Sequence, residues 1–128
     1  MPTNNMIKNI GQIAIAVTDI KKSIAFYKDV LGLPLLFEAP PGLAFFDCGG
    51  VRLMLTVLQG HERDHKTSVI YYKVGDIKAA VNSIKNKGIV FEREPGLVSK
   101  MPDHELWIGF IRDPDNTLVG IMAEIPLK

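Results

Sequence analysis

The chain has 128 residues, enough to bury one core and too few for two independent domains. Its 15 Lys and Arg stand against 14 Asp and Glu, with no long run of either sign, which argues against nucleic acid or an anionic membrane as a partner. Cys48 is the single cysteine and cannot close an internal disulfide, and no stretch reads as a signal sequence or as a span of about 18 apolar residues, so a cytoplasmic location is expected.

In chain order, Gln12, Ala14 and Ala16 alternate with Ile13, Ile15 and Val17, the period-2 pattern of a strand. Asp19 suits a helix N-cap, because its carboxylate accepts from the free N–H groups of the first turn. Ile20, Ile24, Tyr27 and Leu31 follow at helical spacing, and Gly32 fits the left-handed residue that ends a helix. LPLLFE (33–38), LAFFDC (43–48) and VRLMLTV (51–57) read as strands, with Gly49-Gly50 as a hairpin turn. Residues 58–68 are polar and join this half to the next; the i, i+4 pair His61 and His65 there reads as part of a solvated loop.

The plan then repeats. VIYYKVGDIKAAVNSIK (69–85) aligns without a gap on QIAIAVTDIKKSIAFYK (12–28), with Val74 over Val17, Asp76 over Asp19, and Gly88 closing the segment as Gly32 does. IVFERE (89–94), ELWIGFI (105–111) and TLVGIMAEI (117–125) supply three more strands, Asp115-Asn116 a second hairpin turn, and VSKMPDHEL (98–106) a loop. The order is βαβββ twice, an α+β fold in one domain, with module 1 at about residues 10–58 and module 2 at about 67–124.

This doubled unit, with V-x-D closing each first strand, FYKDVLG in the first helix and F-x-x-D-P-D-N before the last strand, resembles the vicinal oxygen chelate superfamily. That superfamily contains glyoxalases, methylmalonyl-CoA epimerases, extradiol dioxygenases, and fosfomycin- and bleomycin-resistance proteins. The resemblance implies a cupped mixed sheet whose two modules close around a cavity, often with a partner subunit supplying one of them, and so a homodimer. It also implies where a metal would sit. Glyoxalase-like members place His or Gln, Glu, His and Glu on the first, fourth, fifth and eighth strands, positions that here carry Gln12, Met54, Val69 and Gly120. A carboxamide, a thioether, an isopropyl group and a hydrogen atom do not make a divalent-ion site, and an extradiol iron triad is likewise not provided. No metal and no other cofactor is therefore expected.

The resemblance keeps the cavity. Gln12, Met54, Val69 and Gly120 are expected to line it, joined at period 2 by Thr56, Tyr71 and Met122, with Phe45 from the third strand and the bare Gly120 leaving room for a ligand. Arg52 shares the face of Met54 and is a candidate for the rim. His104, between Asp103 and Glu105, and Trp107 are candidates for ligand contact from the second half, and Pro102 and Met101 for a lip. The function this implies is metal-independent binding of a small, mostly apolar or aromatic ligand, in the manner of bleomycin-resistance proteins. The alternative is a glyoxalase- or epimerase-like lyase or isomerase acting on a small acyl or thiohemiacetal substrate, with His104 or Tyr71 as acid or base. Cys48 reads as a small buried residue in preference to a nucleophile.

Overall fold

The computed structural model describes residues 10–57 and 69–127, together with Met6. The joining loop with His61 and His65 lies outside the described residues. The first half runs β1 (Gln12–Val17), α1 (Ile20–Ala25) continued by a π-helical turn (Phe26–Val30), β2 (Leu35–Ala39), β3 (Leu43–Cys48) and β4 (Val51–Val57). The second runs β5 (Ile70–Lys73), α2 (Ile77–Asn86), β6 (Arg93–Lys100), β7 (His104–Arg112) and β8 (Leu118–Pro126). Two separate four-stranded mixed sheets result, ordered β1-β4-β3-β2 and β5-β8-β7-β6, each with one parallel pair, β1 with β4 and β5 with β8, and each helix crossing from one edge strand to the other. Among the described residues no helix is long and apolar enough to cross a membrane.

Local chemistry accounts for the elements. Asp19 caps α1 through Lys22 N at 3.2 Å, and Asp76 caps α2 through Ala79 N at 3.1 Å. Gly32 and Gly88 end the helical segments at φ of 74° and 83°, conformations that a side chain would disfavour. Gly49 and Gly50, both at positive φ, form the two-residue turn between β3 and β4. The π turn is a feature the helical spacing does not reveal: Leu31 N donates to Phe26 O at 3.1 Å, and Phe26 and Tyr27 are both buried there.

The sixth strand lies later in the chain than IVFERE suggests. Phe91 is buried in the core ahead of it, and the strand itself is REPGLVSK, which carries a Pro-Gly pair. Those residues are turn signals in most settings, but β6 is an edge strand, where the missing N–H of Pro95 is tolerated and the register shifts between Arg93 and Gly96. Gly109 on β7 gives Pro95 its place, since a Cβ there would lie 2.6 Å from the proline ring. β6 runs through Lys100 and β7 begins at His104, so of the expected loop 98–106 only Met101, Pro102 and Asp103 lie between strands, and His104 opens β7.

The core joins the helix-bearing sides of both sheets: Ile15, Val17, Phe46 and Leu55 from the first, Ile111, Val119, Ile121 and Ala123 from the second, with Tyr27 and Ile84 between. At its edge Asp113, 5% exposed, accepts from the Tyr27 hydroxyl at 2.9 Å and from the backbone N–H groups of Asp115 and Thr117. Burial raises the pKa of Asp113 above the ordinary carboxylate range despite these donors. Asp115 accepts from the Thr18 hydroxyl at 2.6 Å and from Thr18 N at 2.9 Å, so the β7–β8 turn is tied to the start of α1.

Candidate functional site

Because side chains alternate along a strand, the residues that do not face the helices share the opposite side of each sheet. In the N-terminal sheet the register sets Ala14 beside Met54, Met54 beside Phe45, and Phe45 beside Phe37. The Phe37 and Phe45 rings stack at 4.6 Å between centroids. A second row places Gln12 beside Arg52. The Arg52 Nε donates to Gln12 Oε1 at 2.7 Å while its guanidinium lies 5.3 Å from the centroid of Phe45. One cation is thereby fixed over an apolar, aromatic floor.

The C-terminal sheet offers a matching face. Tyr71 lies beside Gly120, Gly120 beside Phe110, and Met122 beside Ile108. Tyr71 meets Phe110 edge to face at 5.8 Å. Toward the far end of β8, Glu124 accepts from Lys73 Nζ at 2.8 Å and lies 3.6 Å from His104 Nε2, whose Nδ1 is 2.7 Å from Asp103. The hydrogen bond from Lys73 lowers the pKa of Glu124, and the one with His104 lowers that of Asp103.

The expected lining residues distribute as follows. Gln12, Met54 and Phe45 come together on one sheet, and Tyr71, Gly120 and Met122 on the other. Thr56 belongs to the first face by register but is buried and donates to the Val57 carbonyl at 3.0 Å. Val69 precedes β5, 39% exposed, two residues before Tyr71. Trp107 does not join them: it pairs with Ala123 on the helix-bearing side and lines a groove with α2 residues such as Val81, its Nε1 donating to Glu105 at 3.2 Å. His104 and Tyr71 also lie apart, since His104 is opposite Pro126 and Tyr71 opposite Gly120, roughly 20 Å along β8 at the rise of an extended strand. They do not serve one reacting centre.

Gly120 leaves no room for a ligand. A Cβ built there would sit 2.5 Å from Cδ2 of Tyr71, so the tyrosine ring itself covers the glycine. The residues that sequence reasoning missed are Phe37, Ile108 and Phe110. The alternation along β7 puts Phe110 on the same face as Ile108, but which face that is follows only from the register against β8, and the register shift in β2 hides the side that Phe37 takes.

Comparison with known proteins fixes the family. The description that matches residues 9–121 is the Glyoxalase/Bleomycin resistance protein/Dioxygenase superfamily. The chain belongs to that superfamily. It is 30% identical over 126 residues to YraH of Bacillus subtilis, described as uncharacterized, covering 86% of this chain and 94% of that one. It is 33% identical over 120 residues to a probable lactoylglutathione lyase of Vibrio cholerae, covering 84% and 85%. Among solved structures, the virulence protein STM3117 of Salmonella typhimurium superposes with a TM-score of 0.76 at 21% identity, covering 94% of this chain and all of that one, a likeness of fold.

The metal associated with glyoxalase-like members of this superfamily does not fit the residues present. Of the four expected ligand positions only Gln12 carries a hard donor. Its carboxamide oxygen already accepts from Arg52, and its nitrogen lies 3.7 Å from the Met54 sulfur.

Proposed function

We propose that the protein holds a small, mostly apolar or aromatic ligand, without a metal, between the strand face of the N-terminal sheet of one protomer and that of the C-terminal sheet of its partner in a homodimer. The observation that carries this reading is the pair of aromatic strand faces. Phe37 is 50% exposed and Tyr71 45%, and the strand register puts them beside Phe45 and Gly120, residues that the family resemblance assigns to the cavity lining. Within one chain the contacts between modules run through the helix-bearing sides, by way of Tyr27 with Asp113 and Thr18 with Asp115. Two half-sites that turn away from each other in one chain become a closed site when a second copy brings the complementary half. Arg52 over Phe45 favours a ligand with an anionic or strongly electron-rich edge.

A usable probe is 8-anilino-1-naphthalenesulfonate, an aromatic anion. It is expected to bind with a saturable fluorescence rise that a chelator leaves unchanged. Arg52→Ala should weaken it by about tenfold, the worth of one charge-assisted contact. Elemental analysis is expected to find far less than one Zn, Ni, Mn or Fe per chain; about one ion per chain, lost in Gln12→Ala, would contradict the reading.

The similarity to a probable lactoylglutathione lyase favours a second reading, a lyase or isomerase that uses His104, whose Nδ1 is held by Asp103 at 2.7 Å. The two readings separate in His104→Ala. A binder keeps its affinity for the naphthalenesulfonate, whereas an enzyme using His104 as acid or base loses about a hundredfold in rate on a thiohemiacetal substrate.

A further inference from the structure

On the opposite side of the sheets from the strand faces, a cavity of about 220 Å³ lies between the modules. Val30 and Leu31 at the end of the π turn and Cys48 at the end of β3 form one wall, and Tyr72, Ser83 and Ile121 the other. We propose that this cavity is a second ligand site, taking a small neutral aromatic molecule that carries one hydrogen-bond acceptor, such as an aryl ketone.

Size, polarity and one hydroxyl lead to that class. A cavity of about 150 Å³ accepts benzene, so the space here suits a ring with a short substituent. Most of the lining is aliphatic, which favours an apolar body. The Tyr72 hydroxyl is buried, and among the described residues no group hydrogen-bonds to it. A buried donor without an acceptor costs about 1–3 kcal/mol, and an acceptor on the ligand recovers it. Burial raises the pKa of the phenol and of the Cys48 thiol, so both stay neutral donors, and no carboxylate or ammonium lines the inner wall to favour a charged guest. Lys73 borders the cavity, but its ammonium is held by Glu124 on the other side of the sheet. Ser83 is exposed, which sets the mouth beside α2. The site is independent of the ligand proposed for the strand faces, because Cys48, Tyr72 and Ile121 alternate with residues of those faces.

Cys48 is the single cysteine and lines the cavity, so its reaction with an aromatic disulfide reports on occupancy. Acetophenone is expected to slow that reaction saturably, by about fivefold or more at saturation, because a bound ring blocks access to the Cys48 thiol. Isopropylbenzene, of nearly the same shape, is expected to bind about tenfold more weakly, the worth of one net hydrogen bond. Tyr72→Phe removes one oxygen from a folded chain and leaves the ketone oxygen without a donor, so it should bring the ketone to or below the hydrocarbon's level, and Ala80→Leu should abolish protection by both while circular dichroism stays native. The proposal is overturned if acetophenone gives no saturable protection up to its solubility limit, which would leave the cavity to water. It is overturned equally if ketone and hydrocarbon protect alike, or if the naphthalenesulfonate competes with acetophenone and the two sites are one.

Discussion

The ring of Tyr71 lies where a side chain at position 120 would begin, and this contact gives the glycine its reason. Gly120→Ala is expected to cost about 1–2 kcal/mol by forcing the ring aside. The same substitution in a Tyr71→Ala background should cost close to nothing, and chemical denaturation of the four chains measures the coupling. Asp113 carries a larger share of stability. Asp113→Ala leaves the Tyr27 hydroxyl and two backbone N–H groups without their acceptor, an expected loss of about 3 kcal/mol or more. Its titration has a defined sign: burial raises the folded pKa above the ordinary 3.8, so the folded chain holds its proton more tightly than the unfolded one. The contribution of this group is full below 3.8 and declines as pH rises through the folded value. The stability of the wild type relative to Asp113→Asn should therefore shrink as the pH rises above 3.8; a difference that grows instead would mean that the carboxylate is favoured in the fold.

At the scale of elements, capping and periodicity carry the fold. Asp19 and Asp76 occupy equivalent positions in the two modules and make the same bond, so Asp76→Ala is expected to cost about 1 kcal/mol. A loss of helical signal beyond that of α2 would contradict so local an effect. The two strands closing each module, β1, β4, β5 and β8, were legible because hydrophobic alternation and flanking turn residues agree there. β6 was not, because Pro95-Gly96 looks like a turn in a sequence and becomes a bulge only once an edge position relieves the proline of its ladder bond. The side of Trp107 was not legible either: it follows from the register of β7 against β8, where Trp107 pairs with Ala123, and no local pattern sets that register. The strand faces themselves were half legible. Met54 came from the family resemblance, and Tyr71 and Met122 followed from it by period 2, while the occupation of Gly120's space by Tyr71 is a contact between strands that a linear reading does not contain.

At the scale of the molecule, the two modules share one core and turn their aromatic strand faces away from it. A homodimer that pairs these faces should bury more than roughly 1,000 Å² and sediment as twice the 14.2 kDa chain at micromolar concentration. Phe37→Asp together with Tyr71→Asp should shift it to monomer without unfolding, because both side chains are half exposed. The most direct test uses the sharing of the site between chains. Phe45→Ala damages the N-terminal face and Tyr71→Ala the C-terminal face, so each variant alone is expected to bind the naphthalenesulfonate weakly. In a mixed dimer of the two variants, a shared site predicts one intact site and one doubly damaged site, and hence about half the wild-type binding capacity at wild-type affinity. Binding in the mixed dimer no better than in either parent would place both halves of the site within one chain and contradict the account.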